Sequence, residues 1–303
     1  MDAESLSTAL SAADDLARAL MERGVGRRGL APDATIRHMV DIEAARAFDR
    51  DAARPWMAAC GFPQATPDER LARGLLYAGI AGRLLPPEER TPDGAFVPFE
   101  RMHAGYWAGA KAQHLLHDGL LGASPDGRTA FAAAVDALPE EHAPMRRHVA
   151  GALAGARAYH ALRACGLPLN VRIGTLSEDV LRATDIVATR RGREGGCVVQ
   201  VKANGRHSRA QVLPERQRPF FLSRLFDARW DEERRTDALR GAERVWEEAY
   251  RRGRRWAALL VYADVATRPP AELDDPELRD LLRARLLETP IFSPDEPTGE
   301  IIP

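Results

Sequence analysis

Lysine is almost missing from this 303-residue chain: it stands at Lys111 and Lys202 only, against 41 arginines. Arginine is a planar fork and lysine a compact ammonium, so the two places that keep lysine stand out. Cysteine is scarce as well. Cys60, Cys165 and Cys197 are isolated and odd in number, which excludes a disulfide framework and paired-cysteine metal spacing and suggests reduced thiols. Neither sign of charge is in excess, the net being −1. No global field therefore draws the chain to nucleic acid, and any such binding needs a local patch. No apolar run reaches the length of a membrane span. The start, M-D-A-E-S-L-S-T-A-L, is acidic and has no apolar signal-peptide region. A cytoplasmic protein is the expectation, or one exported by machinery that needs no cleaved leader. Zinc fingers, RNA-recognition signatures and dinucleotide-binding loops are absent too.

What is present is an apolar fraction of 45%, enough to build the core of one large or two ordinary domains. The first half reads as helical. Leu6, Leu10, Leu16 and Leu20 recur at helical spacing over residues 4–23, and Ile36, Met39 and Ile42 line the next helix. Thr66-Pro67-Asp68-Glu69 is a helix start, with a capping Thr, Pro in the first turn and Glu three positions on. That helix runs through Leu71, Leu75 and Ile80 to Leu84. Further helices are expected over residues 98–119, 130–138 and 139–164. With no strand before residue 170 and no internal repeat, residues 1–138 form a helical domain, suited to recognition or to a protein partner. Its one polar cluster is His103, His114, His117 and Asp118. His117-Asp118 is similar to the His-Asp pair of metal-dependent phosphohydrolases, over those two residues only. A His pair capping a helix near Gly119 is the preferred reading, because cations favour helix C-termini.

From residue 139 the pattern changes. Strands are expected over 171–174, 181–189 and 197–203, a polar Arg-rich loop over 204–219 and a helix within 220–253. The apolar run 256–263 reads as a strand buried on both faces. Gln200 and Lys202 lie two apart on one strand and leave it on the same side, while Val199 and Val201 point into the core. Asp185 sits on the neighbouring strand. A carboxylate, an amide oxygen and the Val201 carbonyl are hard donors that suit Mg²⁺ or Mn²⁺, and an ammonium beside them can orient a water and offset charge on phosphorus.

Asp185, Gln200 and Lys202, on a hairpin within the order helix, three strands, helix, strand, resemble the PD-(D/E)xK nuclease superfamily, the restriction-endonuclease-like fold. Thr184 stands where the family name has Pro. The resemblance covers about residues 139–265. It implies an αβββαβ domain over 139–303 with a C-terminal helix and tail, behind the helical domain. It further implies catalysis by Asp185, Gln200 and Lys202 and metal held by Asp185, Gln200 and Val201. Many members carry a metal-facing Glu on the first helix. That position falls near Gly155, so an additional acid would have to be Glu178 or Glu141, with Glu140 and Asp179 close by. With Gln200 neutral, Asp185 is otherwise the one anionic ligand.

Between positions 190 and 218 there are eight basic residues against Glu194 and Glu215. Arg190, Arg191, Arg193, Arg206, Arg209, Arg216 and Arg218, with Lys202, form a local surplus suited to a phosphate backbone. The implied function is a metal-dependent nuclease with a nucleic-acid partner, DNA ahead of RNA, and no membrane. The competing reading is a binding module on the same fold that has lost its acids.

Overall fold

The computed structural model describes residues 67–84, 99–138, 143–175, 178–179, 182–204, 207–213, 232–289 and 291–292. The helices expected over 4–23 and beyond Asp33, together with Glu140, Glu141, Arg206, Arg216 and Arg218, lie outside the described residues. By internal contacts the chain divides into residues 1–156 with 269–272, and residues 157–268 with 273–303. The division falls within a helix that begins shortly after the expected boundary at 138.

The first unit contains helices α1 (Pro67–Leu84), α2 (Phe99–Gly122) and α3 (Pro125–Asp136), and the start of α4 (Ala143–Ala164). Leu71, Leu75 and Ala78 of α1 and Ala112, Leu116 and Leu120 of α2 are buried, the apolar stripes that the spacing requires. Ser124 caps α3 by accepting from the Gly127 N–H at 3.1 Å, with Pro125 in the first turn. Because α2 runs on to Gly122, His114 and His117 sit inside the helix and cap nothing. His117 is buried against Gly155 of α4, and His148 of α4 lies against Gly109 of α2. Burial pushes the imidazoles down to about 3 for His117 and about 4 for His148, so both are neutral packing groups rather than cations attracted to a helix end.

The second unit is a mixed five-stranded sheet with helices. Its strands are β1 (Leu169–Ile173), β2 (Ile186–Arg190), β3 (Gly196–Asn204), β4 (Arg209–Leu213) and β5 (Trp256–Asp264); α5 (Glu232–Arg252) precedes β5 and α6 (Pro276–Leu287) follows it. The spatial order is β1-β2-β3-β5-β4. β1, β2 and β3 form an antiparallel meander, β3 and β5 run parallel, and β4 returns antiparallel along β5. β5 is buried along nearly its whole length, as a central strand of continuous apolar sequence should be. One face carries Val187, Val198, Leu260, Tyr262 and Leu213, and α5 packs Ala242, Val245 and Ala249 against it.

Two expectations are corrected. The polar, Arg-rich pattern implies loop over residues 209–213. They pair with β5 as an edge strand, Leu213 buried on the α5 face and Ala210 on the other. The pattern implies strand from residue 181, and Leu181 itself lies outside the described residues. Glu178, Asp179 and Arg182 are helical, and β2 begins only at Ile186. Thr175 starts that turn through a reciprocal cap: its N–H donates to Glu178 Oε2 (2.7 Å) and its Oγ1 accepts from the Glu178 N–H (3.3 Å). Thr-x-x-Glu is the capping-box signature, and it overrides the β-branched run behind it. Ala183 takes a left-handed φ of 49° to leave the turn, a strained conformation for a residue with a Cβ.

Candidate functional site

The site is built where β2 gives out beside β3. The register ends at Ile186 opposite Val199, and Asp185 lies one residue beyond it, its side chain reaching the Val201 main chain. The Asp185 N–H donates to the Val199 carbonyl (2.9 Å) and Oδ2 accepts from the Val201 N–H (2.6 Å). Main-chain groups of alternate residues leave a strand by the same edge, so the Val201 carbonyl is directed to this corner along with its N–H. Gly174 lets the end of β1 close over it. Its N–H donates to the Asp185 carbonyl (2.7 Å), and a Cβ there would strike the Thr184 carbonyl.

Gln200 is 6% exposed and its Oε1 has no hydrogen-bond partner. Its carboxamide lies against α5 at Gly241, where a Cβ would overlap it. A buried acceptor left without a donor is costly, and a hard cation satisfies such an oxygen as well as a donor does. Lys202 is one step further along the same face.

The electrostatics draw in a fourth residue. Burial pushes the Asp185 carboxyl up to about 6, against the pull of the Val201 N–H and of the Lys202 ammonium. Asp179 is also pushed well above the usual carboxylate range, by burial first and then by the charge of Asp185, with Lys202 opposing. Two carboxylates that repel one another and share one ammonium form a ligand pair that a divalent cation would relieve. Asp179, placed by the helical turn that the capping box starts, lies within electrostatic reach of Asp185 and Lys202.

Glu178, expected as the additional acid, is spent elsewhere. It accepts two bonds from Arg172 (2.7 and 2.8 Å), and Arg252 pairs with its Oε1. Arg172, aided by the Thr175 N–H and by Arg252, holds its carboxyl well below the usual range. Arg252 also bonds Glu248 (2.7 Å), which accepts a second guanidinium, Arg182 (2.8 and 2.9 Å). This chain of five charges ties the turn that carries Glu178, Asp179 and Arg182 to β1 and to α5. The signal that could have found it is Thr175-x-x-Glu178. Glu178 faces its own cap, and its neighbour, one residue on around the helix, faces away from it.

The basic residues are divided. Arg209 belongs to the row Lys202–Tyr262–Arg209 across three strands and so shares the Lys202 face, about 10 Å away at two strand spacings. Arg190, Arg191 and Arg193 lie at the other end of β2, roughly 17 Å from Asp185 at about 3.4 Å per residue, which corrects the expectation that they surround it. Arg190 lies over the Phe292 ring, and Arg191 donates to the Leu169 carbonyl and Asn170 Oδ1 (both 3.1 Å).

Among the described residues no three His, Cys, Asp or Glu side chains gather as a metal cage, and no helix is long and apolar enough to cross a membrane. The oxygen set at the corner is two carboxylates, one amide and one main-chain carbonyl. Set against protein-family models, characterised proteins and solved structures, the chain matches none of them.

Proposed function

We propose that the second unit is a metal-dependent nuclease that hydrolyses phosphodiester bonds, with DNA as the first substrate to test. The observation that carries this reading is the Asp185 carboxylate, fixed by the N–H of Val201, the residue between Gln200 and Lys202. The strand order supports it. An antiparallel β1-β2-β3 meander with β5 parallel to β3 is compatible with the αβββαβ order that the resemblance implies, although β4 adds a fourth strand before α5.

The residues fit Mg²⁺ or Mn²⁺: two repelling carboxylates, Asp185 and Asp179, and the unpartnered Gln200 Oε1 offer hard oxygens beside the Val201 carbonyl. A bound divalent cation would polarise the phosphoryl oxygen and acidify a water. Asp185 holds its orientation because one of its oxygens is occupied by the main chain. Lys202 orients the attacking water and offsets the charge that grows on the phosphoryl oxygens. As the water oxygen bonds to phosphorus it gives up a proton to solvent, the bond to the leaving oxygen breaks, and that oxygen takes up a proton from solvent. Arg209, in the Lys202 row, contacts a neighbouring phosphate. A degenerate binding module is the second reading, favoured by neutral Gln200.

The test is cleavage of supercoiled plasmid and single-stranded oligonucleotides against Mg²⁺ concentration. Wild type cleaves. Asp185→Ala and Lys202→Met do not, and Lys202→Arg loses most activity because a guanidinium cannot present a compact ammonium to the water. Equal cleavage by Asp185→Ala or Lys202→Arg moves the site elsewhere. Binding without cleavage by every preparation gives the second reading the field.

A further inference from the structure

The arginines that lie far from Asp185 are not scattered. The 191–195 turn that carries Arg191 and Arg193 packs against the loop that joins the end of α5 to β5, where helix end and loop together run Tyr250-Arg251-Arg252-Gly253-Arg254-Arg255. The Gly196 N–H donates to the Arg255 carbonyl (2.9 Å), and Glu194 pairs with Arg255 at 3.3 Å. Glu194 is the one acid in these two segments. Arg193, Arg251 and Arg254 are exposed, and among the described residues no carboxylate pairs with them. Arg252 beneath them is committed: it stacks over Trp256 (4.7 Å to the ring centre) and bonds Glu248 and Glu178. The last turn of α5 is therefore held from below, with its remaining guanidinium groups turned outward.

Beside these charges lies a flat aromatic surface. Tyr250 is 71% exposed, one of only three large hydrophobic side chains exposed among the described residues. Its ring stacks on Trp246 at 5.6 Å with 14° between the planes. An exposed, backed ring among guanidinium groups offers a face for a nucleobase and charges for its phosphates. An acidic peptide would have no use for the ring.

We propose that this end of the sheet, opposite Asp185, is a separate nucleic-acid-binding surface: Arg193, Arg251 and Arg254 grip the phosphate backbone and Tyr250 stacks an unpaired base. The proposal rests on the nuclease reading only for the choice of polyanion, and it makes no use of the metal corner. The two ends are about 17 Å apart along β2, so a strand engaging both spans some five nucleotides of duplex length.

The experiment is fluorescence anisotropy of the full-length protein with a labelled 20-nucleotide single strand and the matching duplex, in EDTA, across NaCl concentrations. Chelation removes cleavage, so the result stands whether or not the nuclease reading does. Arg193→Gln/Arg251→Gln/Arg254→Gln lowers affinity for both at least about tenfold and flattens the salt slope by about 2 to 3, as expected for three lost phosphate contacts. Tyr250→Ala weakens the single strand about fivefold or more and leaves the duplex unchanged. Far-UV circular dichroism and melting confirm that the variants fold. Unchanged affinity and slope in the triple variant overturn the surface. Wild-type binding to polyglutamate as tight as to the oligonucleotides overturns nucleic acid as its ligand.

Discussion

Glu178 and Asp179 are adjacent carboxylates with opposite environments. Glu178 meets two guanidinium groups and a main-chain N–H, and its charge is stabilised. Asp179 meets burial and another carboxylate, and its charge is opposed. The difference follows from helical phase, since one step along a helix turns a side chain by about 100°. Their substitutions should therefore separate. Asp179→Asn should leave melting unchanged or raised and weaken Mg²⁺ binding by roughly tenfold or more, as losing a support of a metal ligand set does. Glu178→Gln should cost about 1–3 kcal/mol of stability by stripping the anion from two arginines and leave Mg²⁺ affinity within about threefold, the ordinary scatter of such contributions. Calorimetric titration of Mg²⁺, beside thermal melts without it, reads both. The reverse pattern would make Glu178 the ligand.

At the scale of elements, the turn that carries Glu178, Asp179 and Arg182 is held to its neighbours by side chains. Glu248 is the centre of that attachment, with a side chain 1% exposed and guanidinium groups on both sides. Removing a buried acid with two partners is severe, but Arg182→Ala is mild, since Glu248 keeps Arg252. We expect a loss of about 1 kcal/mol and faster amide exchange at Asp179 and Ala183, whose N–H groups close the turn. If the proposed site binds Mg²⁺, the cation should raise the melting temperature of this variant less than that of wild type, and an equal rise would separate the turn from the corner. This turn is also where the sequence was hardest to read. β3 and β5 are plain in Val198, Val199 and Val201 and in the run from Ala257 to Ala263, and the shared face of Gln200 and Lys202 follows from alternation alone. The turn was hidden because Leu181 and Ile186-Val187 look like one strand, and a three-residue cap decides otherwise. β4 was hidden by polar, Arg-rich flanks. The grouping of Arg251 and Arg254 with Arg193 depends on β3 and β5 lying side by side, which no local pattern reports.

Across the whole molecule, the two units respond to acid in opposite senses. His117 and His148 are neutral when folded, with pKa values of about 3 and about 4 against 6.5 unfolded. Their contribution is complete above pH 6.5 and is lost as pH falls towards those folded values, by up to about 1.4 kcal/mol per pH unit for each imidazole. Asp185 runs the other way. Its folded pKa of about 6 lies above the ordinary value of 3.8, so the penalty for its charge is present above pH 6 and fades as pH falls towards 4. Amide protection, corrected for intrinsic rates, should fall in α2 and α4 between pH 6.5 and 4.5 while β3 and β5 hold theirs. His148→Gln should flatten the slope in α4. Equal loss in both units would mean that the buried imidazoles do not govern the first.

The Val201 N–H gives this protein an observable of its own. β2 stops one rung before it, and a side chain completes the ladder where a carbonyl ordinarily would. Main-chain rungs cannot change charge, but this one can. The Val201 amide proton is thus a resident spectroscopic probe, bonded to the atom whose charge matters most in the corner. Its shift should follow the titration of Asp185 near pH 6 and should move again when Mg²⁺ is added, with no nucleic acid in the tube. In Asp185→Ala it should exchange with solvent as a free strand end does.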